Sequence, residues 1–316
     1  MSLQSPFMKF HEAILLKRFD ENAELREKRD RILKRLRDNL SVTFEPFNQG
    51  SYSMGTGIKP LDGDYDIDVG IVLNGIHKDR DPVTVKGWVY DAVKSHTARV
   101  DWRRPCITVY YQEAGEVIYH VDLVVLVRDR HDSNKLYLAL GKQHSAADQR
   151  EWQQDDRQGF MTAIEQKCSG EDGAQFRRVV RYLKRWKDEN FPKSGHAAPT
   201  GLSLTVAAYY AFAPKKSTDY DGRGTYDDLS ATLAVAQSLH ASFRQTWSSS
   251  SYTYLHTISL TFPFAPKDDV FTKMSPQQQD EFYQRLGQLI SNLEQAKRTD
   301  NAAYLRKSFG NDFPLT

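Results

Sequence analysis

Two strand-like segments of this chain carry carboxylates inside otherwise apolar runs, and this feature constrains the fold most strongly. Asp66 and Asp68 lie one residue apart in YDIDVGIV, and Asp122 lies inside VDLVVLV. Successive side chains on a strand point to opposite faces, so Asp66 and Asp68 share one face while apolar neighbours share the other. An apolar strand seldom hosts an unpaired acid. We therefore predict that the two strands are neighbours and that Asp122 meets the other two acids.

The three carboxylates would repel one another strongly in a partly dry site unless cations neutralised them. Magnesium prefers oxygen ligands and shares them with substrate phosphates, and paired ions about 3.5–4 Å apart support displacement at phosphorus. We therefore predict that Asp66, Asp68 and Asp122 are catalytic residues and ligands of two Mg²⁺ ions, with Mn²⁺ able to substitute.

Other polar residues near these acids are interpreted as structural. Asp-x-Asp patterns are common on solvated strand edges, and Asp62 and Asp64 are assigned to that category. His120 shares a strand face with Asp122, and we expect it to pack or to orient a neighbour rather than to bind the metal. The predicted metal site therefore depends on the three acids alone.

A glycine-serine turn precedes the first acidic strand. Gly50-Ser51 follows a predicted short strand and precedes a predicted short helix, with Ser51 lying 15 positions before Asp66. Glycine allows close approach of the backbone to phosphate, and the exposed N–H groups of a helix start favour anions. We predict that Gly50 and Ser51 bind a triphosphate. No Gly-Lys-Ser/Thr follows, so the turn is not a P-loop.

The bulk composition excludes several classes of protein. The net charge of the 316 residues is only +2, so nucleic-acid binding cannot be inferred from the total charge and stays an open question. The two cysteines, Cys106 and Cys168, are far apart, which disfavours a disulfide framework or a zinc ribbon. The amino terminus lacks signal-peptide features and no segment is long enough to span a bilayer, so we expect a cytoplasmic protein without a membrane partner.

The periodicity changes near residue 150. Before it we predict one long helix over residues 8–40, a helix over 83–96, and strands over 42–47, 64–73, 106–111 and 117–127, the last two joined by a hairpin near 114–115. After it we predict helices over 155–168, 172–190, 200–212, 226–242, 275–298 and 302–309. The predicted fold class is α+β: a mixed-sheet lobe with a long N-terminal helix (1–150), a helical lobe (151–316) and an active site in the cleft between them.

The helix predicted over 172–190 combines an apolar stripe with a basic one. Arg177, Arg181 and Lys184 follow i, i+4, i+7 spacing beside the apolar residues Phe176, Val179, Val180 and Leu183. A cationic stripe that faces a cleft would attract a triphosphate. The alternative is an ordinary solvated basic face. Ser203, in the next helix, is open to two interpretations, a phosphate contact or helix packing.

The order of these motifs resembles the polymerase β-like nucleotidyltransferase superfamily. Within it, the chain looks like the bacterial cGAS/DncV-like nucleotidyltransferases. Two further segments support the resemblance: RYLKRW at 181–186 is similar to a helical element whose lysine contacts the triphosphate, and PTGLSL at 199–204 is similar to the segment that follows it. The segment between Ser51 and Asp66 is longer than the minimal superfamily spacing, which leaves the local loop geometry open.

The resemblance implies a role for each site residue. Asp66 and Asp68 would bind both metals, and Asp122 would complete the site of the metal that activates the attacking hydroxyl. Gly50 and Ser51 would hold the triphosphate, with Lys184 and Ser203 contributing from the helical lobe. An aromatic side chain is expected to stack on the adenine base, and the sequence does not choose between Tyr182 and Tyr209 for this role.

The resemblance also implies a function and partners. The chain is expected to be a cyclic oligonucleotide synthase that uses ATP, and other nucleoside triphosphates in some cases, to make a cyclic di- or trinucleotide second messenger for antiphage defence. An adenine-containing product such as cyclic tri-AMP is expected. An accessory regulatory protein would control the enzyme, and a downstream effector would meet it through the product only.

Two alternatives stay open at this point. One is template-independent addition of nucleotides to RNA, as in CCA-adding or poly(A) polymerases; the near-neutral charge argues mildly against it. The other is a non-catalytic module that binds nucleotides, against which the presence of all three acids argues.

Overall fold

The computed structural model describes residues 3–16, 23–61, 63, 65–113, 116–167, 169–192, 197–218 and 224–315. Asp62, Asp64, Cys168 and the hairpin turn at 114–115 lie outside the described residues. Contacts between Cα atoms divide the chain into two compact units. The sheet unit comprises Leu16–Thr162 and Phe264–Pro266, and the helical unit comprises Met1–Leu15, Ala163–Pro263 and Lys267–Thr316. The domain boundary near residue 150 stays a prediction, because compactness alone does not define a separately folding domain.

The sheet unit is built on seven strands. They are β1 (Phe44–Gln49), β2 (Tyr65–Leu73), β3 (Arg99–Trp102), β4 (Ile107–Glu113), β5 (Glu116–Arg128), β6 (Leu136–Leu140) and β7 (Glu151–Asp155). The order is β1-β2-β5-β4-β3, and β6 pairs with the far end of β5 and with β7. The β2–β5 pair is parallel and the other pairs are antiparallel, so the predicted mixed sheet is confirmed.

Helices cover one face of this sheet. The helices of this region are α2 (Ala23–Asn39), α3 (Gly50–Ser53), α4 (Pro82–Val93) and α5 (Arg157–Lys167), which begins in the sheet unit and ends in the helical unit. Apolar side chains of α2 and α4 pack against the side chains of β2 and β5 that alternate with the acids, among them Ile67, Val69 and Val121. The covered face therefore receives the apolar set, and the acids lie on the other face.

The helical unit contains most of the predicted helices. They are α1 (Gln4–Ile14), α6 (Gly170–Asn190), α7 (Gly201–Ala211), α8 (Asp228–Ala241), α9 (Pro276–Thr299) and α10 (Ala303–Phe309). Two short hairpins that the sequence did not reveal complete it, β8 (Lys216–Thr218) with β9 (Gly224–Tyr226) and β10 (Arg244–Ser248) with β11 (Thr253–Thr257). None of the helices among the described residues is both long and apolar enough to cross a membrane.

The prediction of a single helix over residues 8–40 is wrong, because the structure has two helices in this range, α1 and α2. Helix α1 ends at Ile14, and Leu15 adopts an extended conformation with φ −59° and ψ 122°. The buried side chains Phe7 and Phe10 of α1 pack with the aromatic rings of the helical unit, whereas α2 buries its own apolar stripe against the sheet. One straight helix cannot direct two stripes into two separate cores, so the regular helical pattern of the sequence is interrupted.

Candidate active site

The register of three strands arranges polar side chains as a grid on one face of the sheet. In the parallel β2–β5 pair, Asp66 lies opposite His120 and Asp68 lies opposite Asp122. In the antiparallel β4–β5 pair, Thr108 lies opposite Asp122 and Tyr110 lies opposite His120. Paired residues in neighbouring strands place their side chains on the same face. The predicted adjacency of the two acidic strands is therefore confirmed.

Asp66 and Asp122 converge in space, as the sequence predicts. Together with His120 they offer three ligand atoms that all lie within 4.8 Å of one another, a group able to hold a metal ion. The Nε2 atom of His120 lies 3.2 Å from Oδ1 of Asp66. His120 thus lies among the candidate ligands, whereas the sequence placed it in a packing or orienting role. The carboxylate oxygens are the hard ligands that a divalent cation such as Mg²⁺ prefers.

Asp68 lies deeper than Asp66, and its protonation reflects this position. Burial, followed by the charges of Asp66 and Asp122, raises the pKa of the Asp68 carboxyl far above its ordinary value. Burial and the charge of Asp66 likewise raise the pKa of Asp122. Burial beside like charge therefore disfavours the ionised forms of Asp68 and Asp122, and a bound cation would reverse the effect.

A hydrogen bond from β4 fixes the orientation of Asp122. The hydroxyl of Thr108, a residue with no exposed surface, donates to Oδ1 of Asp122 over 2.5 Å. A hydrogen bond to a carboxylate favours its ionised form, and the Thr108 contact does lower the pKa of Asp122 against the larger effect of burial. The hydroxyl of Thr108 thus holds one oxygen of the Asp122 carboxylate in place.

The glycine-serine turn adjoins the side chain of Asp68. Gly50 has a φ of 74°, and a methyl group added to its Cα would lie 1.9 Å from Oδ2 of Asp68. Only glycine fits there, because a side chain would collide with the carboxylate and the backbone conformation is left-handed. Ser51 is partly buried, and its carbonyl oxygen accepts a 2.8 Å hydrogen bond from the backbone N–H of Thr56, which closes the turn.

Basic side chains that the sequence did not single out lie on the adjoining β3–β4 segment. A guanidinium nitrogen of Arg103 donates to the Tyr110 hydroxyl over 2.5 Å, and the guanidinium carbon of Arg99 lies 4.0 Å from the Tyr110 ring centre. The buried ammonium group of Lys86 holds this segment by donating to the carbonyl oxygens of Arg103 and Arg104 over 2.9 and 2.6 Å. Thr108 and Tyr110 lie on the same face of the sheet as the acids, opposite Asp122 and His120. The register of the predicted hairpin, had it been known, would have identified both as residues of the site.

Lys184 lies in α6 of the helical unit and is largely buried. Its exposed fraction is 7%, and that of Arg181 is 6%, so the alternative of a solvated basic face is wrong for both. A methyl group added to Gly201, the first residue of α7, would lie 3.3 Å from Cε of Lys184. The absence of a side chain at Gly201 therefore makes room for Lys184 at the start of that helix. The assignment of Lys184 to a triphosphate stays a prediction.

The two other residues predicted for the helical unit have structural contacts. The hydroxyl of Ser203 is fully buried and donates to the carbonyl oxygen of Thr200 over 2.9 Å, as part of the α7 cap. These contacts match the packing interpretation, and a phosphate contact by Ser203 stays a prediction. Tyr182 has no exposed surface, and its hydroxyl donates to Asp228 over 2.9 Å. The prediction that Tyr182 stacks on adenine is therefore wrong, which leaves Tyr209.

A segment within the amino-terminal half of the chain matches a known domain family. Residues 45–126 match the model of the nucleotidyltransferase domain described as cyclic GMP-AMP synthase DncV-like. This segment includes β1, the Gly50-Ser51 turn, β2, β4 and nearly all of β5. The match therefore covers the turn and all three predicted catalytic acids.

Solved structures share the fold over nearly the whole chain. The nucleotidyltransferase CdnG of Bradyrhizobium diazoefficiens, solved with GTP, is 15% identical over 98% of this chain and 95% of its own, with a TM-score of 0.69. Vibrio cholerae DncV, a cyclic AMP-GMP synthase, is 16% identical over 99% and 97%, also with a TM-score of 0.69. CdnC of Escherichia coli MS115-1, solved with ATP, is 15% identical over 98% of both chains, with a TM-score of 0.67.

At such low identity the solved structures establish the fold alone, and the domain match assigns residues 45–126 to a nucleotidyltransferase domain. The predicted α+β fold with a helical carboxy-terminal part is confirmed. The matched domain, the shared fold and the meeting of acids beside the glycine turn agree with one another. Residues 45–126 therefore match a DncV-like nucleotidyltransferase domain, within a fold that the solved nucleotidyltransferases share over nearly the whole chain.

Proposed function

We propose that this nucleotidyltransferase is a cyclic oligonucleotide synthase that joins nucleotides from ATP into a cyclic di- or trinucleotide second messenger for antiphage defence. An adenine-containing ring such as cyclic tri-AMP is the expected product. The observation that carries the proposal is the approach of the Asp66 and Asp122 carboxylates to within 4.8 Å, beside the turn that touches Asp68.

The proposed mechanism assigns one task to each acid. Asp66 and Asp68 would be ligands of both Mg²⁺ ions, and Asp122 would complete the site of the ion nearest the attacking hydroxyl. When bound, such ions activate the attacking hydroxyl and stabilise the leaving pyrophosphate. Thr108 would keep the Asp122 carboxylate turned toward the metal, since it already holds one of its oxygens. Mn²⁺ would substitute for Mg²⁺ at the same oxygen ligands.

We assign the binding of the triphosphate to Gly50, Ser51, Lys184 and Ser203. Gly50 and Ser51 would approach it with backbone N–H groups and the Ser51 hydroxyl, because the turn carries no bulk at Gly50. Lys184 would add a positive charge from α6, and Ser203 would act at the start of α7. Positioning and charge neutralisation, rather than covalent chemistry by the protein, would then lower the barrier.

Relatives of the same fold support nucleoside triphosphates as substrates. CdnG was solved with GTP, CdnC with ATP, and DncV with the linear intermediate pppA(3′,5′)pG. A linear intermediate in a cyclase indicates two successive transfers. We propose the same sequence for this chain, with ATP as the first substrate and with control by an accessory protein of the defence operon.

Product analysis tests the proposal. The purified chain is incubated with the four ribonucleoside triphosphates and Mg²⁺, without RNA, and the products are identified by mass spectrometry after phosphatase treatment. A phosphatase-resistant cyclic nucleotide and released pyrophosphate are expected, and Asp66→Asn should abolish both. Elongation of an added RNA primer, with no product in its absence, would instead establish the RNA nucleotidyltransferase. Nucleotide binding without pyrophosphate release, even with the accessory protein present, would indicate a non-catalytic module.

A further inference from the structure

We propose that His120 is a nitrogen ligand of the metal held by Asp66 and Asp122, which gives this site a preference for transition metals over Mg²⁺. The inference rests on the proposed function only in requiring that the acids bind a divalent cation. It adds one residue to the ligand set and changes the expected selectivity of the site.

The first argument is distance. Two neighbouring ligands of an octahedral ion, each about 2.1 Å from the metal, are about 3.0 Å apart, and opposite ligands are about 4.2 Å apart. The Nε2 atom of His120 is 3.2 Å from Oδ1 of Asp66, and both lie within 4.8 Å of the Asp122 oxygen. The three atoms therefore fit the coordination shell of one ion after small adjustments.

The second argument is the way in which the fold holds the ring. His120 lies directly opposite Asp66 in the β2–β5 register and opposite Tyr110 in the β4–β5 register. Its side chain is only 13% exposed, and its ring centre lies 5.8 Å from that of Tyr110. An imidazole fixed on a sheet loses little conformational freedom when it binds a metal. Its Nε2 atom already points to the carboxylate that would share the ion.

The third argument is ligand chemistry. Carboxylates and water suit Mg²⁺, whereas an imidazole nitrogen favours transition metals and adds affinity along the Irving–Williams order. A site with two carboxylates and one imidazole should therefore bind Co²⁺ more tightly than Mg²⁺. If His120 only oriented Asp66 through a hydrogen bond, its loss would weaken the binding of Co²⁺ and of Mg²⁺ by the same factor.

The test compares two cations on the nucleotide-free protein by titration calorimetry, with the visible absorption of bound Co²⁺ as a second readout. His120→Phe keeps a ring against Tyr110 but has no nitrogen, and His120→Gln keeps a donor for Asp66 but has no imidazole. Both variants should lose about tenfold or more in Co²⁺ affinity and much less in Mg²⁺ affinity. His96→Phe is the matched control, since Nε2 of His96 contacts the Tyr111 hydroxyl at 2.8 Å, away from this cluster.

Two results would overturn the inference. One is an equal loss of affinity for both cations that His120→Gln restores, because an orienting residue behaves in that way. The other is an unchanged Co²⁺ affinity and spectrum in both variants. If either occurs while the wild-type chain still makes a cyclic product, the proposed function stands without the inference. If the wild-type chain binds neither cation and makes no product, the proposed function falls as well.

Discussion

The sheet unit and the helical unit differ in what surrounds their buried acids. In the helical unit, Asp228 has no exposed surface but accepts hydrogen bonds from Arg178 over 2.6 and 3.0 Å and from Tyr182 over 2.9 Å. On the sheet, Asp68 and Asp122 lie near the carboxylate of Asp66, and burial together with this like charge raises their pKa values. Paired charges indicate a structural role, and charges that await a counterion indicate a site.

Replacing a sheet acid should remove activity without unfolding the chain, which is the largest effect that we expect. Asp66→Asn or Asp68→Asn should reduce product formation by about a thousandfold or more, because the charge that holds the metal is lost. Removal of a repulsive charge should leave the melting temperature at pH 8 without metal unchanged or higher. Turnover by a purified and folded variant, measured as pyrophosphate release, would refute the assigned role.

The same chemical change in the helical unit should act on stability. Asp228→Asn leaves Arg178 buried without its charged partner and should lower the free energy of unfolding by about 3–5 kcal/mol. Urea denaturation measures the change, and Asp68→Asn serves as the matched comparison. A loss of stability at position 68 equal to that at position 228 would erase the distinction between the two regions.

Removing the support of Asp122 should produce an intermediate effect. Thr108→Val keeps the shape of the side chain but deletes the donor to Asp122, and we expect a loss of about 10- to 100-fold in metal affinity or activity. Thr108→Ser should restore most of it, because the hydroxyl returns. Thr232→Val is the control, since that buried hydroxyl donates only to a backbone carbonyl oxygen at 2.7 Å. Equal losses in the two valine variants would assign a packing role to Thr108.

The pH dependence of stability should show the smallest effect. The folded state raises the pKa values of Asp68 and Asp122 above the ordinary 3.8, so above that value it binds more protons than the unfolded chain. The stability that these two groups contribute to the metal-free protein should therefore be lost as the pH rises through the folded pKa values. Thermal melts in EDTA from pH 5 to pH 8 measure this loss, which Mg²⁺ or Asp68→Asn should diminish. A wild-type stability that falls no further over this range than that of Asp68→Asn would contradict the assigned pKa directions.

Local patterns predicted much of this molecule. Alternation in β2 and β5 was sufficient to place Asp66 and Asp122 on one face, because strand geometry has a strict period of two. Most of the helices of the helical unit begin and end within a few residues of their predicted bounds, since their apolar stripes are long.

What the sequence could not reveal depends on partners distant in the chain. The helical pattern over residues 8–40 contains no sign that its two halves pack into separate cores. Tyr182 looks like a candidate base-stacking residue until the fold buries it against Phe7. The contact between Thr108 and Asp122 needs the register of a hairpin whose turn sequence does not fix it.

The missing side chain at Gly50 has a thermodynamic consequence. The turn and the Asp68 carboxylate occupy adjoining space with no room for a methyl group between them, so a displacement of the turn toward the acid would displace the carboxylate as well. A phosphate drawn into the turn and a cation drawn to the acid would then each strengthen the binding of the other, by the same factor in both directions. Nucleotide and metal would arrive at this corner of the sheet as cooperative ligands.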